Sequence, residues 1–191
     1  MSRQENTGAG DPGAPWQVAN VRPVLDSPWL RVELADITKP SGQLEEHYMV
    51  WLPPAVMVVV LDQPGEHVLL TWRHRCVPDV WSYEIPGGLI EDGEAPAAAA
   101  RRELLEETGY RARELRHVVT FEPAVGSVRN PHHVFLARGV ERVDEPTEHD
   151  EGVFDWVPLA QVPGLIAAGQ VANSGSLVGL LHVLASRAAD A

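Results

Sequence analysis

The sequence predicts a mixed α/β domain that follows a small β-rich lead-in. Three observations support this class: many short runs rich in β-branched residues, a helical pattern at 95–108, and a second helical pattern near 174–187. With 191 residues, 45% of them hydrophobic, the chain is long enough to bury one substantial core. The order of the elements therefore indicates one main domain with strands and helices mixed along the chain.

The amino-terminal part divides into a tail and the lead-in. Residues 1–15 are rich in Gly, Pro and polar residues, and they are predicted to be a disordered tail, not a signal peptide. Residues 16–52 are predicted to form the lead-in, because turn residues there separate three β-type runs, at 16–24, 29–38 and 47–51. Residues 53–191 are predicted to form the main domain.

The main domain begins with a continuous apolar run, AVMVVVLD, at residues 55–62. Because this run does not alternate, it predicts a strand that is covered on both faces. The Pro-Gly turn that follows predicts a hairpin with residues 67–73. Further strands are predicted at 115–122, 133–137 and 153–157.

Two helices are predicted in the main domain. The helix at 95–108 has Pro96 in its first turn, where proline is tolerated, and Gly109 can end it. The second helix runs from about residue 174 to 187. Its predicted apolar face is Leu177, Leu180, Leu181 and Leu184.

The net charge of −12 excludes several classes of protein. A nucleic-acid binder that contacts phosphates needs a basic face, and a polybasic membrane anchor needs a basic cluster. The longest apolar stretch, residues 51–61, is shorter than the roughly 20 residues that span a bilayer. Cys76 is the only cysteine, so an internal disulfide is excluded and a cytoplasmic location is favoured. Its side chain is predicted to be a small apolar filler.

The negative charge is concentrated in two segments. Residues 84–107 hold seven acidic residues and two arginines, and residues 144–155 hold six acidic residues and no basic one. In the first segment, Glu103, Glu106 and Glu107 stand at i, i+3 and i+4 of the predicted helix, so their carboxylates emerge on one side. Such a cluster favours a hard divalent cation, although a solvated acidic face is the ordinary alternative.

The spacing around this cluster matches a known signature. The segment from Gly88 to Tyr110 resembles the box of the Nudix hydrolase family, G-x5-E-x7-R-E-U-x-E-E-x-G-U, in which U is a bulky apolar residue. The matching residues are Gly88, Glu94, Arg102, Glu103, Leu104, Glu106, Glu107, Gly109 and Tyr110. The resemblance implies a Nudix-type α/β/α sandwich preceded by the β-rich lead-in.

A weaker similarity to the ADP-ribose pyrophosphatase branch extends beyond the box. It comprises the lead-in, the segments WRHR and WSYEIPGG before the box, and FEP and HVFLA after it. One feature departs from the branch. Pro123 lies 13 residues beyond Tyr110, whereas the corresponding proline of the branch usually lies farther from the box. This departure bears on ADP-ribose itself more than on nucleoside diphosphate sugars as a class.

The resemblance implies roles for particular residues. The metal ligands would be Glu103, Glu106, Glu107 and the Gly87 carbonyl, and the ion would be Mg²⁺ or in its place Mn²⁺. Arg102 would take part in catalysis, because it lies one turn before Glu106 and could hold that carboxylate in place. The general base would be one of three acids in the late acidic loop, Glu148, Asp150 or Glu151, and the alternative is a solvated loop. Substrate contacts would come from Arg75, Glu84 and Arg129, and Glu84 could instead bind at the periphery of the metal cluster. The alternative for Arg75 and Glu84 is an ion pair between neighbouring strands.

The resemblance implies an enzyme that cleaves the diphosphate of ADP-ribose or of a related nucleoside diphosphate sugar. Its substrate would be a small nucleotide, with neither nucleic acid nor membrane as a partner, and the lead-in would support a homodimer. Two alternatives stay open. One is hydrolysis of a nucleoside triphosphate or a dinucleotide polyphosphate, and the other is an ADP-ribose-binding regulatory module without catalysis.

Overall fold

The computed structural model describes residues 13–148 and 152–189 and divides the chain into two compact units. The first unit comprises the chain up to Pro53 together with Ala124–Asn130, and the second comprises Pro54–Pro123 and the chain from Pro131 onward. None of the helices in the described residues is long and apolar enough to cross a membrane.

The first unit is a four-stranded sheet. Strands β1 (Gln17–Asp26), β2 (Arg31–Thr38) and β3 (Leu44–Trp51) pair antiparallel in chain order, and β8 (Val128–Arg129) pairs parallel to β3. All three predicted runs of the lead-in are strands. The third begins earlier than predicted, because Leu44–Glu46 continue the ladder with β2.

The second unit contains two three-stranded sheets and the helices. One sheet has the order β4 (Ala55–Val60), β9 (His132–Arg142), β7 (Tyr110–Phe121), and the other has the order β10 (Val153–Pro158), β5 (His67–Arg75), β6 (Val80–Glu84). The helices are α1 (Pro96–Thr108), α2 (Val162–Ala167) and α3 (Ser174–Ala189), and a 3₁₀ turn spans Leu159–Gln161. Strand β6 and helix α2 were not predicted from the sequence.

Strand β4 forms the centre of the core, as its continuous apolar run predicted. All six of its residues are buried. Val56, Val58 and Val60 pack in the cluster under α1, whereas Met57 and Val59 pack in the cluster that contains the buried residues of α3. Helices therefore cover both faces of the strand, which confirms the predicted α/β/α sandwich.

The predicted hairpin between residues 55–62 and 67–73 is wrong. The two segments meet only at its base, where Leu61 and Val68 form one antiparallel bridge. Beyond that bridge β4 pairs parallel with β9, whereas β5 pairs with β6 and β10 in the other sheet. A strand that is buried on both faces is typical of a parallel pairing inside the sheet. The turn residues next to β4 carry no information about which distant strand pairs with it.

The buried face of α3 also differs from the prediction. Leu180 is buried, but Leu181 is 50% exposed, and Gly179 and Val183 occupy the centre of the interface instead. A Cβ on Gly179 would lie 2.7 Å from a Val59 methyl, so the helix approaches β4 more closely than a leucine-lined face would allow.

Candidate active site

Helix α1 presents the glutamates of the acidic motif. It begins at Pro96 and ends at Thr108. The next residue, Gly109, caps the helix with a left-handed φ of 71°, and its N–H donates to the Leu105 carbonyl. Glu103 and Glu107 lie on the buried side of the helix, and the Glu106 side chain is 38% exposed. The predicted spacing therefore places the carboxylates at the boundary between core and solvent.

The glycine loop before α1 is fastened to β4. The N–H groups of Val56 and Val58 donate to the carbonyls of Gly88 and Pro86, at 2.9 and 2.8 Å. A Cβ at Gly87 would overlap the Val56 carbonyl oxygen, so only glycine allows this close approach. Among the described residues nothing donates to the Gly87 carbonyl, which lies between the two bonded carbonyls. This carbonyl is the predicted metal ligand of the loop.

Three carboxylates form a group that fits a hard cation. One oxygen each from Glu103, Glu106 and Glu148 lies within 4.8 Å of the others. Desolvation raises the pKa of Glu103 above its ordinary value, and the negative charges of Glu148 and Glu106 raise it further. Three acidic oxygens at this separation, two of them reached from one helix, are the donor set that Mg²⁺ or Mn²⁺ prefers.

Glu148 reaches this group because its loop is attached to the end of α1. The Thr147 N–H donates to the Glu106 carbonyl at 2.8 Å, and the Val143 N–H donates to the Gly109 carbonyl at 2.9 Å. The other two predicted bases, Asp150 and Glu151, lie outside the described residues. The role of this loop in catalysis therefore stays a prediction, and the Glu148 carboxylate lies beside those of Glu103 and Glu106.

Glu107 has a different environment from the three-carboxylate group. Its carboxylate accepts a hydrogen bond from the Gly87 N–H at 2.8 Å and lies 3.6 Å from the guanidinium of Arg73. Desolvation is the largest of the effects that raise its pKa to about 7. Glu107 therefore links the helix to the glycine loop and to β5, and it carries a proton more readily than a surface glutamate.

The raised pKa of Glu107 predicts a pH-dependent stability of the metal-free protein. The unfolded chain loses this proton near the ordinary value of 4.5, whereas the folded chain keeps it up to about pH 7. The stabilising contribution is therefore complete below about pH 4.5 and decreases as the pH rises to about 7. Melting in the presence of EDTA is expected to show this decrease, and Glu107→Gln should flatten it. An unchanged slope in the variant would assign the dependence to other groups.

Arg102 organises the acidic residues around it. It donates to both oxygens of Glu94, at 3.1 and 2.9 Å, and through Nη1 to Glu103 and Glu106, at 2.8 and 3.0 Å. Its fifth bond goes to the Leu89 carbonyl. The bonds to Glu94 are the largest of the effects that raise the pKa of Arg102 above its ordinary value. Arg102 thus holds the carboxylates of Glu94, Glu103 and Glu106 in place, and its role in catalysis stays a prediction.

Replacement of Arg102 by lysine tests this organising role. An ammonium group cannot reproduce the planar fork, so the free energy of unfolding is expected to fall by about 2 kcal/mol. Urea denaturation measures the change, and Arg101→Lys is the control, because Arg101 makes one bond, to the Ala112 carbonyl, that lysine can also make. Equal losses in the two variants would show that the network around Arg102 adds nothing specific.

Arg73 also belongs to the site, although the sequence predicted a substrate contact only for Arg75 on this strand. Its side chain is 12% exposed, and burial is the main effect that lowers the pKa of its guanidinium. Arg73 and Arg75 are two residues apart on β5, so they share one face of the strand. The alternation of side chains along a strand could have indicated that Arg73 and Arg75 lie together, but only the fold shows that Arg73 lies beside Glu107.

The predicted substrate contacts occupy different places. Arg75 donates to both oxygens of the buried Glu84, at 2.9 and 2.6 Å, so the two form the ion pair between neighbouring strands that the sequence left as the alternative. Their contact with substrate stays a prediction. Arg129 is an exposed residue of β8 in the first unit, where it pairs with Trp51, and its role also stays a prediction. Contrary to the expectation of an apolar filler, Cys76 is exposed.

The α/β/α sandwich, the glycine loop and the acidic helix together are the arrangement that the resemblance to the Nudix hydrolases implies. The family model described as the NUDIX domain matches residues 51–175. The chain therefore belongs to the Nudix hydrolase family, and the predicted family and fold are confirmed. Members of this family are enzymes that act on small nucleotides and generally use divalent metal ions.

Similar proteins place the chain near the ADP-ribose branch of the family. A CMP-5'-(N-acetyl-N-hydroxy-3-aminopropyl)phosphonate hydrolase of Streptomyces rubellomurinus is 44% identical over 170 residues, covering 88% of this chain and 82% of that protein. An ADP-ribose pyrophosphatase of Mycobacterium tuberculosis is 30% identical over 152 residues, covering 77% and 72%. The crystal structure of an ADP compounds hydrolase has the same fold, with a TM-score of 0.78, 20% identity, and coverage of 93% and 96%.

Proposed function

We propose that this enzyme hydrolyses the diphosphate of ADP-ribose or of a related nucleoside diphosphate sugar in the presence of Mg²⁺. The observation that carries the proposal is the group formed by Glu103, Glu106 and Glu148, whose oxygens lie within 4.8 Å of one another. The similarity to an ADP-ribose pyrophosphatase over 77% of the chain supports the substrate class. The products are a nucleoside monophosphate and a sugar phosphate.

The proposed reaction needs a cation between two negative partners. A divalent ion held by Glu103 and Glu106 would neutralise phosphate charge and lower the pKa of a water molecule beside the Glu148 carboxylate. Arg73 and Arg75 offer guanidinium groups on one face of β5 for the phosphate oxygens. Glu148 accepts the proton of the attacking water. A bond forms between the water oxygen and one phosphorus, and the bridging P–O bond breaks.

A second substrate class has support from another relative. The hydrolase of Streptomyces rubellomurinus is named for a CMP-linked phosphonate, and it matches 88% of this chain. A nucleoside monophosphate joined to a phosphonate presents the same kind of linkage between two phosphorus atoms as ADP-ribose does. The same glutamates and arginines would therefore serve either substrate, and the group attached to the second phosphorus would decide between them.

A substrate panel tests the proposal. ADP-ribose, UDP-glucose, a CMP-linked phosphonate, ATP and diadenosine tetraphosphate are each incubated with enzyme and Mg²⁺, and the products are identified by mass spectrometry. We expect AMP and ribose 5-phosphate from ADP-ribose, with one oxygen derived from water. A kcat/KM that is highest for the CMP-linked phosphonate would favour the second class, and cleavage of ATP or the dinucleotide alone would contradict both.

We also propose that the enzyme is a cytoplasmic homodimer formed through the lead-in. Strand β1 lies at the edge of its sheet, and Val18, Val21, Val24 and Leu25 on it are each about half exposed. An edge strand of ten residues with exposed apolar side chains is a ready surface for pairing with another chain. Light scattering is expected to give about twice the chain mass of 20.9 kDa, and Val21→Lys should lower it. A monomeric mass for the unmodified protein would contradict the proposal.

A further inference from the structure

A cavity of about 330 Å³ lies between β5, β6 and the residues that precede α3. Its apolar walls include Pro78, Val80 and Ala172, and its polar groups include Arg75, Glu84 and Asn173. We call it the Arg75 cavity. None of its lining residues belongs to the three-carboxylate group, and Arg75 is the lining residue that it shares with the proposed phosphate contacts.

The polar groups of the Arg75 cavity are suited to hydroxyl groups. Each oxygen of Glu84 accepts one bond from Arg75 and retains further acceptor capacity. The Asn173 side-chain oxygen accepts from the Ser176 N–H at 3.0 Å, whereas no described residue accepts from its amide nitrogen. The cavity thus offers an anionic acceptor and a neutral donor, which together match neighbouring hydroxyls of a sugar.

The walls of the Arg75 cavity argue against a nucleobase. No aromatic ring is among the described residues that line it. A planar base would therefore lack the stacking partner that gives such sites much of their affinity. An aliphatic ring with hydroxyl groups gains from the apolar walls and from the two polar groups without needing a ring to stack on.

The position of the Arg75 cavity relative to the acidic site also fits a sugar. Arg73 and Arg75 are two positions apart on β5, a distance of about 7 Å along the strand. The guanidinium of Arg73 lies 3.6 Å from Glu107, which in turn binds the Gly87 N–H of the glycine loop. A phosphate bound near Arg73 would therefore leave its attached sugar within reach of the cavity.

We propose that the Arg75 cavity binds the sugar of the sugar phosphate that leaves in the reaction, with Glu84 and Asn173 recognising its hydroxyls. This inference rests on the proposed function in that it assumes a sugar on the second phosphate. Glu84 and Asn173 would then determine which sugar is bound and would take no part in breaking the P–O bond. The nucleoside would bind in a different part of the protein.

Cys76 provides a direct probe of occupancy. It lines the cavity, it is exposed, and it is the only cysteine of the chain, so its reaction with N-ethylmaleimide is read from the intact mass without interference. With Mg²⁺ and ribose 5-phosphate at ten times its dissociation constant, the reaction is expected to become about tenfold slower. AMP under the same conditions is expected to leave the rate unchanged.

Hydrolysis of ADP-ribose is measured on the same samples, which separates the two proposals. Hydrolysis without protection of Cys76 by ribose 5-phosphate would overturn the sugar assignment alone, and so would protection by AMP instead. Protection by ribose 5-phosphate without hydrolysis of any nucleoside diphosphate sugar of the panel would overturn the proposed substrate class alone and leave the cavity assignment supported. If neither is seen, both proposals are overturned.

Filling the cavity gives an independent measurement. Ala172→Phe adds a ring to an exposed wall position and is expected to raise KM for ADP-ribose by about tenfold or more with little change in kcat. Ala160→Phe is the matched control, at an exposed position in the 3₁₀ turn that lines none of this cavity. An unchanged KM in a folded Ala172→Phe variant would overturn the assignment.

Discussion

Replacement of Glu106 by glutamine is expected to lower kcat/KM by about 10³-fold or more, because a divalent ion contributes several kcal/mol to phosphoryl-group reactions. The amide keeps the size of the side chain and can still accept the bond from Arg102, but it removes one of three acidic oxygens that lie within 4.8 Å. Isothermal titration with Mn²⁺ should show a weaker dissociation constant. Removal of metal with EDTA should abolish activity, and added Mg²⁺ or Mn²⁺ should restore it.

The stability of the Glu106→Gln variant distinguishes loss of metal from loss of fold. Three carboxylates packed together repel one another in the absence of a cation, so the metal-free variant is expected to melt no lower than the metal-free parent. Glu114→Gln provides the matched control, since it makes the same change at an exposed position of β7. Unchanged Mn²⁺ affinity and kcat/KM in Glu106→Gln would show that the cation lies elsewhere.

The residues of the acidic motif could be predicted from the sequence because their geometry is local. Helical spacing alone places Glu103 and Glu106 on adjacent turns, and the structure brings their carboxylates together with one oxygen of Glu148. The bond between the Gly87 N–H and Glu107 joins residues 20 positions apart, and helical spacing does not predict it. Helical spacing and the box pattern therefore indicate that Glu103 and Glu106 lie together, whereas the place of Glu148 beside them depends on the fold.

The remaining features depend on contacts between distant segments. The pairing of β4 with β9 joins residues more than seventy positions apart, and the turn at Gly65 favoured the wrong partner for β4. Arg73 belongs to the site only because β5 lies beside α1. Nothing in the sequence of Ala124–Asn130 predicts that this segment belongs to the same unit as the lead-in. Packing of small residues such as Gly179 likewise overrode the leucine pattern of α3.

Replacement of Glu148 by glutamine is expected to lower kcat by about 10² to 10⁴-fold, the contribution of a positioned general base. The chain attaches this residue to the site through the bond from the Thr147 N–H to the Glu106 carbonyl, so its carboxylate is held near the glutamates of α1. If Glu148 acts as the base and does not bind the cation, the Glu148→Gln variant should bind Mn²⁺ with nearly unchanged affinity. The measurement is kcat at saturating substrate, together with Mn²⁺ titration of the same sample.

Parallel variants decide which acid of the loop acts as the base. Asp150→Asn and Glu151→Gln remove the other two candidates, and Glu145→Gln is the control, because that exposed residue of the same loop pairs with Arg142 at 2.7 Å. We expect the largest loss of kcat in Glu148→Gln, since the described geometry gives its carboxylate a direct position beside the glutamate group. A joint loss of kcat and Mn²⁺ affinity would instead make Glu148 a metal ligand. If all three variants keep kcat within a few-fold, the proton of the attacking water is accepted outside this loop.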